Sequence, residues 1–455
     1  MGVERAKRSS ISRAHLERVL EALDKQDQDA LRALIEDHHP GDQLLLLNLL
    51  SPLDRRAIYP VLDTEELAEL LPLADEVIAQ EMLDSLPQDR IGAALALMDT
   101  DDAADVLQWE DDEARRQDLI AFLPQADQAH VRELLSYPEN SAGGLMQTEL
   151  FSVPAKWRVR RVLEKLRRAP LDLEDIHDIY LVDNRGVLNG VISLYQVLRL
   201  DPEQPVIEGA DTDPVSVTPE VDQERVAHLF KQHNLASMPV LDEGGHILGR
   251  ITADDIFYVL EEEATEDLYR LANLGEAGDL HEAVSRTVAK RSSWLMLNLG
   301  LSTLTSMVVG IFEDSISRMA ALAVLMPIIA NVGGVGGIQT FTIVVRGIAL
   351  GQINLSLGLR TIGRQAIVGL LNGLIIGAVL ALVTWWRFDN AMLGALIAIA
   401  MLVSLIMAGL VGSALPIAMR RLNLDPPLAS GLVTTVTDMT AFFTFLALAT
   451  FFLIQ

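Results

Sequence analysis

The spacing of apolar residues changes character three times along the chain. Over residues 10–135 it is helical, as at Leu16, Val19, Leu20 and Leu23, and again at Leu31, Leu34 and Ile35. Short polar breaks fall at His39–Asp42, Ser51–Asp54 and Leu86–Asp89. Units of roughly 12 residues, opened by Asp or Pro turns, predict a superhelical stack of short helices. Over 138–265, β-branched runs alternate with helical stretches in two related units. FSVPAKWRVRRVLEKLRR is followed by DIYLVDNRGVLNGVISLYQVL, and VSVTPEVDQERVAHLFKQHN by SMPVLDEGGHILGRITADDIFYVL. Each unit predicts a strand, a helix, two strands joined at an Asn/Asp/Gly turn, and a second helix. Asp183–Gly186 and Asp242–Gly245 supply the turns. The polar stretch 261–291 predicts one long helix, acidic at its start and basic at its end, as the helix dipole favours. Five apolar spans follow, near 292–312, 317–340, 365–386, 391–417 and 428–454. Each is long enough to cross a bilayer, which takes about 20 apolar residues. The fold expected is a multidomain membrane protein: an acidic all-α superhelix over 1–137, an α/β pair over 138–265, a connecting helix over 266–291 and a five-helix membrane domain over 292–455.

Charge divides the chain at the same place. Residues 292–455 hold five acids and seven arginines, whereas residues 1–291 hold 58 acids and 29 basic residues. So negative a half does not suit nucleic acid, where Lys and Arg must neutralise phosphates. It suits cations, or solubility alone. With no cysteine, neither a disulfide framework nor a thiolate metal site is possible. The first 40 residues are charged and lack an apolar core, so a cleaved signal peptide is not expected. If the N-terminal half is cytoplasmic, Lys290, Arg291, Arg346, Arg360, Arg364, Arg420 and Arg421 fall inside and only Arg318 and Arg387 outside. That bias fits a multi-pass protein of the plasma or inner membrane with its C-terminus outside. Residues 346–364 are expected to lie as a helix along the cytoplasmic interface.

Two spans carry polar chemistry. The last holds Asp438, with Thr434 and Thr435 one turn before it and Gly431 two turns before. A carboxylate at membrane depth costs roughly 2.5 kcal/mol or more and marks a functional site by default. A cation path is one reading; an acid satisfied by a neighbouring helix is the other. The second span contains PIIANVGGVGGIQT, residues 327–340. Pro327 and four glycines, Gly334 among them, predict a broken helix whose freed carbonyls, with Asn331, offer oxygen ligands of the kind hard cations prefer. Alternatively the glycines permit close helix packing. In the N-terminal half, Asp101 and Asp105 share one helix face, a solvated surface or a metal site.

The two α/β units resemble a tandem pair of CBS domains, modules that commonly sense adenine nucleotides. The resemblance implies a ribose contact by a Ser/Thr followed three residues later by Asp. Thr252 and Asp255 match it in the second repeat, whereas the first repeat has Ser193 but Gln196. Across nearly the whole chain the arrangement resembles the MgtE family of magnesium channels and transporters. ENSAGGLMQTE (139–149), DDIFYVLEEEATEDLYRL (254–271), PIIANVGGVGGIQTFTIVVRGIALG (327–351) and LDPPLASGLVTTVTD (424–438) carry that resemblance. It implies a homodimer in the lipid bilayer whose central pore recognises a hydrated divalent cation through Asp438. It further implies closure by intracellular Mg²⁺ bound between the soluble domains and the connecting helix. The regulatory ligands implied are Asp101, Asp105, Asp255, Glu261, Glu263, Glu266 and Asp267. The chain departs from the family at Val335, where Asn is usual, at Ile338, where Thr is often found, and at Tyr258, where another acid can occur.

No catalytic residues are expected. The chain has no GxxxxGK[ST], no HExxH and no Ser/His pair in a recognisable setting. The function expected is Mg²⁺ uptake gated by intracellular Mg²⁺. Transport of Co²⁺ or Mn²⁺ on the same fold, and a non-conducting membrane sensor, are the alternatives.

Overall fold

Short helices in the N-terminal part follow from dense capping. The computed structural model describes residues 11–36, 38–110, 112–168, 176–272, 284–349, 352–353, 358–422 and 429–454; the side chains of 267, 271 and 454 also lie outside that description. Ten α-helices, from α1 (Arg13–Asp24) to α10 (Asp127–Leu134), fill the described part of 11–135. Ser12, Asp27, Ser51 and Asp75 each accept a backbone N–H at a helix start. Asp63 and Glu66 form a reciprocal capping box. Pro40 and Pro52 open the third and fourth helices, where a missing N–H costs nothing. The polar breaks read from the sequence are therefore helix starts.

The next segment runs β1 (Ser152–Pro154), α11 (Val159–Leu166), β2 (Asp178–Val182), β3 (Leu188–Ser193) and α12 (Leu194–Val197). It continues with α13 (Gln223–His233), β4 (Ser237–Leu241), β5 (Ile247–Thr252) and α14 (Ala253–Leu271). In the first repeat β1 lies parallel to β2, and β2 antiparallel to β3. In the second, β4 and β5 pair antiparallel, and the expected leading strand is reduced to a parallel bridge between Val217 and Val240. The hairpin turns are built alike. Asp183 Oδ1 accepts the N–H groups of Arg185 and Val187, and Asp242 Oδ1 those of Gly244 and His246. Gly186 and Gly245 supply the left-handed residues, at φ 86° and 78°.

The core does not respect the sequence repeat. The helical stack and the second repeat share one buried cluster, in which Leu107, Val131 and Ala142 join Val226, Val240 and Ile256. The first repeat keeps its own cluster around Val153, Val162, Ile179 and Ile192. The segment 141–147 fastens stack to second repeat: Ala142 N–H donates to Val221, Gly143 N–H to Pro219, and Gln147 exchanges backbone bonds with Arg250. A Cβ on Gly143 would stand 2.5 Å from the Tyr137 ring, and one on Gly144 2.4 Å from the Glu139 carbonyl oxygen. Both positions therefore need glycine.

The chain forms two compact units, Met1–Glu262 and Glu263–Gln455. The second contains α15 (Val284–Gly310), α16 (Glu313–Arg318), α17 (Ala321–Ala349), α18 (Gly358–Phe388), α19 (Ala391–Arg421) and α20 (Ser430–Ala449). All but α16 are long and apolar enough to cross a membrane, which makes five such helices among the described residues.

Two expectations need correction. First, α17 is unbroken from Ala321 to Ala349, through Pro327 and the glycine cluster. Pro327 lies in the second turn, where it removes a single ladder bond. The glycines are there for packing: a Cβ on Gly333 would meet Ser404 Oγ at 2.2 Å, one on Gly336 Leu405 Cδ2 at 2.7 Å, and one on Gly337 Val433 Cγ1 at 2.8 Å. The freed carbonyls expected as ion ligands are bound up in the helix. Second, the segment 346–364 is not a separate interfacial helix. Its first four residues finish α17 and its last seven begin α18, and the N–H groups of Gln352 and Ile353 fold back onto the Gly347 carbonyl. Of the connecting helix expected over 266–291, the described residues show the two ends. Residues through Leu271 continue α14, those from Val284 begin α15, and 273–283 lie outside the described residues. With no Gly or Pro at either expected boundary, helical hydrogen bonding runs on across the change in polarity.

Glycine packing is closest between α18 and α19. A Cβ on Gly369 would fall 2.2 Å from the Leu405 carbonyl oxygen, and one on Gly409 2.4 Å from that of Gln365. Gly363, on the same helix, has nothing within 4 Å of its Cβ position. Gly369→Ala is therefore expected to destabilise the membrane unit by about 1–3 kcal/mol. Gly363→Ala should be neutral or slightly stabilising. Thermal unfolding in detergent checks both.

Candidate functional site

Two sites emerge, one in each unit. In the membrane unit α17 and α20 border a cavity of about 900 Å³. Asn331, Gly334, Thr434 and Asp438, the four residues read from the sequence as pore-lining, all face it. Asp438 is the ninth residue of α20, about 12 Å along the helix from its start. Its side chain is half-buried, and its Oδ1 is buried without a hydrogen-bond partner. Gly334 keeps the space in front of it open: a Cβ there would lie 3.8 Å from Asp438 Oδ1 and 3.8 Å from Thr434 Cγ2. Thr434 and Thr435 donate their hydroxyls to the Gly431 carbonyl at 3.0 and 2.9 Å, so each presents an acceptor oxygen outward. An orphaned carboxylate oxygen beside hydroxyl acceptors is a donor set for a hard cation, bare or hydrated.

Two polar residues on that wall, Gln339 and Thr342, escaped sequence reading. They continue the face of Asn331 and Val335 at helical spacing. An expected break at the glycines hid this register, which only an unbroken helix reveals. Val335 and Ile338, the two departures from the family pattern, also line the cavity.

The second site lies in the first unit. Asp101 is buried on α8 (Thr100–Gln108), with Asp102 and Asp105 along the same helix. Asp101 Oδ2 lies 3.5 Å from Gln147 Nε2, and its Oδ1 is buried without a partner. Gln147 Oε1 in turn accepts from Arg250 Nε at 3.0 Å and Nη2 at 2.7 Å. Thr100 holds the start of the helix in place, donating to Glu149 at 2.8 Å and accepting the Thr148 N–H at 3.0 Å.

Carboxylates from α8 and α14 crowd one another here. Burial, then the charges of Asp255, Asp102 and Asp99, push Asp101 well above the usual carboxylate range. Burial and neighbouring acids, Asp255 first, raise Asp102 to about 7. Burial, with Glu139, Asp102, Asp255 and Glu262, raises Asp105 to about 8. Burial and the nearby Asp254 and Asp99 raise Asp255 to about 6, against the pull of its bond from Thr252. Burial and Glu262 raise Glu139. Glu139, Glu262, Asp102 and Asp254 were not singled out from the sequence; Asp102 and Asp254 are near neighbours of Asp105 and Asp255 along the chain, whereas only the fold brings Glu139 and Glu262 to Asp105. Among the described residues no three His, Asp or Glu side chains are placed to hold one ion between them. The site is a field of like charge rather than a formed cage, and oxygen donors of this kind fit Mg²⁺ or protons as counter-charge.

The remaining expected ligands, Glu261, Glu263, Glu266 and Asp267, all lie on α14. Glu261 is exposed on α14. Glu263 and Glu266 belong to the second unit, and Glu266 pairs with Arg270 one turn on. The side chain of Asp267 lies outside the described residues. In the ribose motif, Thr252 donates both its hydroxyl and, at 3.3 Å, its N–H to Asp255. Ser193 and Gln196 make the corresponding capping box in the first repeat. Both motifs thus act as helix caps.

Five candidate spans with an acid-lined cavity in one unit, and a helical stack joined to a tandem α/β pair in the other, define a multi-pass membrane protein that handles cations. Residues 326–448 match the family described as divalent cation transporter, residues 38–140 the MgtE intracellular N domain, and residues 142–203 and 207–262 the CBS domain. The chain is 35% identical over 435 residues to the magnesium transporter MgtE of Thermus thermophilus, covering 94% of this chain and 96% of that one. It is 26% identical over 423 residues to the magnesium transporter MgtE of Bacillus subtilis, covering 93% and 94%. Among solved structures, the cytosolic domain of the Mg²⁺ channel MgtE in complex with ATP matches at a TM-score of 0.50 and 36% identity, over 54% of this chain and 99% of that one. The chain belongs to the MgtE family of magnesium transporters.

Proposed function

We propose that the protein is a Mg²⁺ uptake channel whose pore is gated closed by intracellular Mg²⁺. The observation that carries this reading is the unpartnered Asp438 oxygen in the cavity between α17 and α20. A second copy of the chain would bring two such carboxylates to a shared axis, making the working unit a homodimer. Permeation runs downhill, driven by a membrane potential worth about 2.3 kcal/mol per charge per 100 mV. The acidic stack and CBS pair face the cytoplasm and the C-terminus lies outside, in keeping with the arginine bias of the loops. The sequence division at 137, 265 and 291 serves this reading as sensor, nucleotide module, connector and pore.

Gating follows from the crowded carboxylates. With Mg²⁺ scarce, Asp101, Asp102, Asp105 and Asp255 repel and the soluble unit loosens. With Mg²⁺ abundant, the ion offsets that charge and the closed arrangement is held, with Glu261, Glu263, Glu266 and Asp267 as further ligands around the connector. An adenine nucleotide at Thr252 and Asp255 would have to replace the helix-cap bonds described above; the ATP complex of the related cytosolic domain supports such a site.

Growth of a Mg²⁺-uptake-deficient host in low Mg²⁺ tests the proposal. Rescue by the wild-type gene is expected; no rescue despite membrane expression would sink it, and would favour the non-conducting sensor. A second reading, Co²⁺ or Mn²⁺ as cargo, is favoured by the apolar Val335 and Ile338 on the cavity wall. Val335→Asn restores a polar side chain there and is expected to shift the ratio of Mg²⁺ to Co²⁺ uptake severalfold toward Mg²⁺. Isotope or dye-based uptake of each ion measures it, and an unchanged ratio would mean that Val335 has no part in ion choice.

A further inference from the structure

The wall of the Asp438 cavity continues well past the carboxylate. Here α17 and α20 run antiparallel. The Cβ position of Gly334 looks at Asp438 and Thr434, that of Gly337 at Val433 and Thr437, and Phe341 and Val345 pack with Ala429 and Val433. Along α17 the lining runs from Pro327 to Ile343, a rise of about 24 Å. Asp438 stands opposite Gly334 and commands only one level of that length. Gln339 lies five residues farther along, about 7.5 Å, and Thr342 about 12 Å. Val335 and Ile338, both apolar, fill the lining between Gly334 and Gln339.

Gln339 is out of place as a packing residue. It sits ten residues, about 15 Å, before the end of α17, at membrane depth. Its side chain is exposed and makes no hydrogen bond to a described residue. Hydroxyls nearby turn back onto their own helices: Thr340 donates to the Gly336 carbonyl at 3.0 Å, and Thr437 to that of Val433 at 3.0 Å. Hydrocarbon offers an amide no partner, and an unbonded amide there is costly. The side chain is therefore placed for water, and the cavity it lines is where water can stand. Thr434, one turn before Asp438 and about 6 Å from it along α20, lies toward the level of Gln339 and keeps an acceptor free. Asp438, Thr434, Gln339 and Thr342 thus set oxygen acceptors in succession along one cavity. Mg²⁺ gives up its waters reluctantly, so acceptors for the hydrogens of its water shell are what such an ion can use.

We propose that Gln339, with Thr342, is a second station for the hydrated cation and sets its rate of transit past the apolar level of Val335 and Ile338. This rests on the transport reading above. The amide Oε1 accepts hydrogen bonds from the ion's water shell after Asp438 has recruited it. A neutral amide suits a second station, because conduction needs sites weak enough to release the ion to the next.

The test is Mg²⁺ flux into proteoliposomes holding the full chain, measured against Mg²⁺ concentration. Gln339→Leu removes the acceptor at similar size on an exposed position, so the fold is kept. Its maximal flux should fall about tenfold, the worth of one hydrogen bond to a charged partner, with the half-saturating concentration within about twofold of wild type. Gln339→Glu adds a charge at the station and should lower the half-saturating concentration severalfold. Val324→Ala, exposed on α17 outside the cavity, should change neither value. Wild-type flux in Gln339→Leu would overturn the second station and leave the transport reading standing, whereas no flux in the wild type would fail both. Light scattering in detergent reads the one structural alternative. If Gln339 instead bonds a neighbouring helix, both variants would weaken the assembly and Gln339→Glu would not lower the half-saturating concentration, which would also overturn the proposal.

Discussion

Asp438→Ala is expected to abolish rescue of a Mg²⁺-uptake-deficient host while leaving the protein in the membrane. Among the described residues the carboxylate is the single acid on the wall of the α17–α20 cavity, and its Oδ1 has no internal partner to which its charge is committed. At an effective dielectric near 20, a carboxylate and a unit charge 4 Å apart attract by about 4 kcal/mol, and a divalent ion gains more. Removing that attraction is expected to lower Mg²⁺ flux by at least about tenfold. Asp438→Asn keeps the size and polarity of the side chain but not its charge, and should be as inactive as alanine. Asp438→Glu keeps the charge and should retain part of the flux. Uptake in proteoliposomes separates the three variants. Full activity in Asp438→Asn would mean that hydrogen bonding, not charge, recruits the ion.

The second large effect concerns the acids of α8 and α14. Their carboxyls titrate at about 6 to 8 in the fold and near 4 when unfolded. Between those limits the folded state binds more protons than the unfolded state. Without Mg²⁺, stability is therefore present below about pH 4 and is lost as pH rises toward 8. The shift of Asp105 alone, to about 8, corresponds to a loss on the order of a few kcal/mol across that range. Mg²⁺ replaces the protons, so added Mg²⁺ should stabilise strongly at pH 8 and little at pH 5.5. Limited proteolysis of the full chain, with EDTA or millimolar Mg²⁺ at both pH values, is the measurement. Protection by Mg²⁺ that is the same at both would remove these carboxylates as the gate. The double variant Asp101→Asn and Asp105→Asn should be protected in EDTA already and gain little from Mg²⁺, because the repulsion is gone.

Much of this was legible along the chain. The five spans, the acid at 438 and the Asp/Gly hairpin turns are local signals, and the structure keeps them, although α17 and α18 run several residues beyond the expected spans. What was hidden depends on contacts far apart in sequence. Pro327 and four glycines read locally as a helix break; only Ser404, Leu405 and Val433 pressing on their Cβ positions show why the helix needs them bare. Glu139 and Glu262 carry no local signal that ties them to Asp105; the packing of segment 141–147 against the second repeat brings them there. The ribose motif at Thr252 and Asp255 doubles as a helix cap, so the residue types alone could not separate the two roles.

The buried cluster common to the helical stack and the second CBS repeat has a further consequence. Elements that share a core lose it together, so these two should melt as one cooperative block, spanning a long loop of chain that leaves and returns. The first repeat, with its own cluster, is inserted into that block and joined to it at the paired hairpin turns, where Leu188 N–H reaches Gly245 and Ile247 N–H reaches Gly186, and through the Ser237 hydroxyl, which bonds Tyr180 and Asp178. Hydrogen exchange would then show two classes of protection in this unit, and an event at the inserted repeat would be felt in the shared block first at those hydrogen bonds.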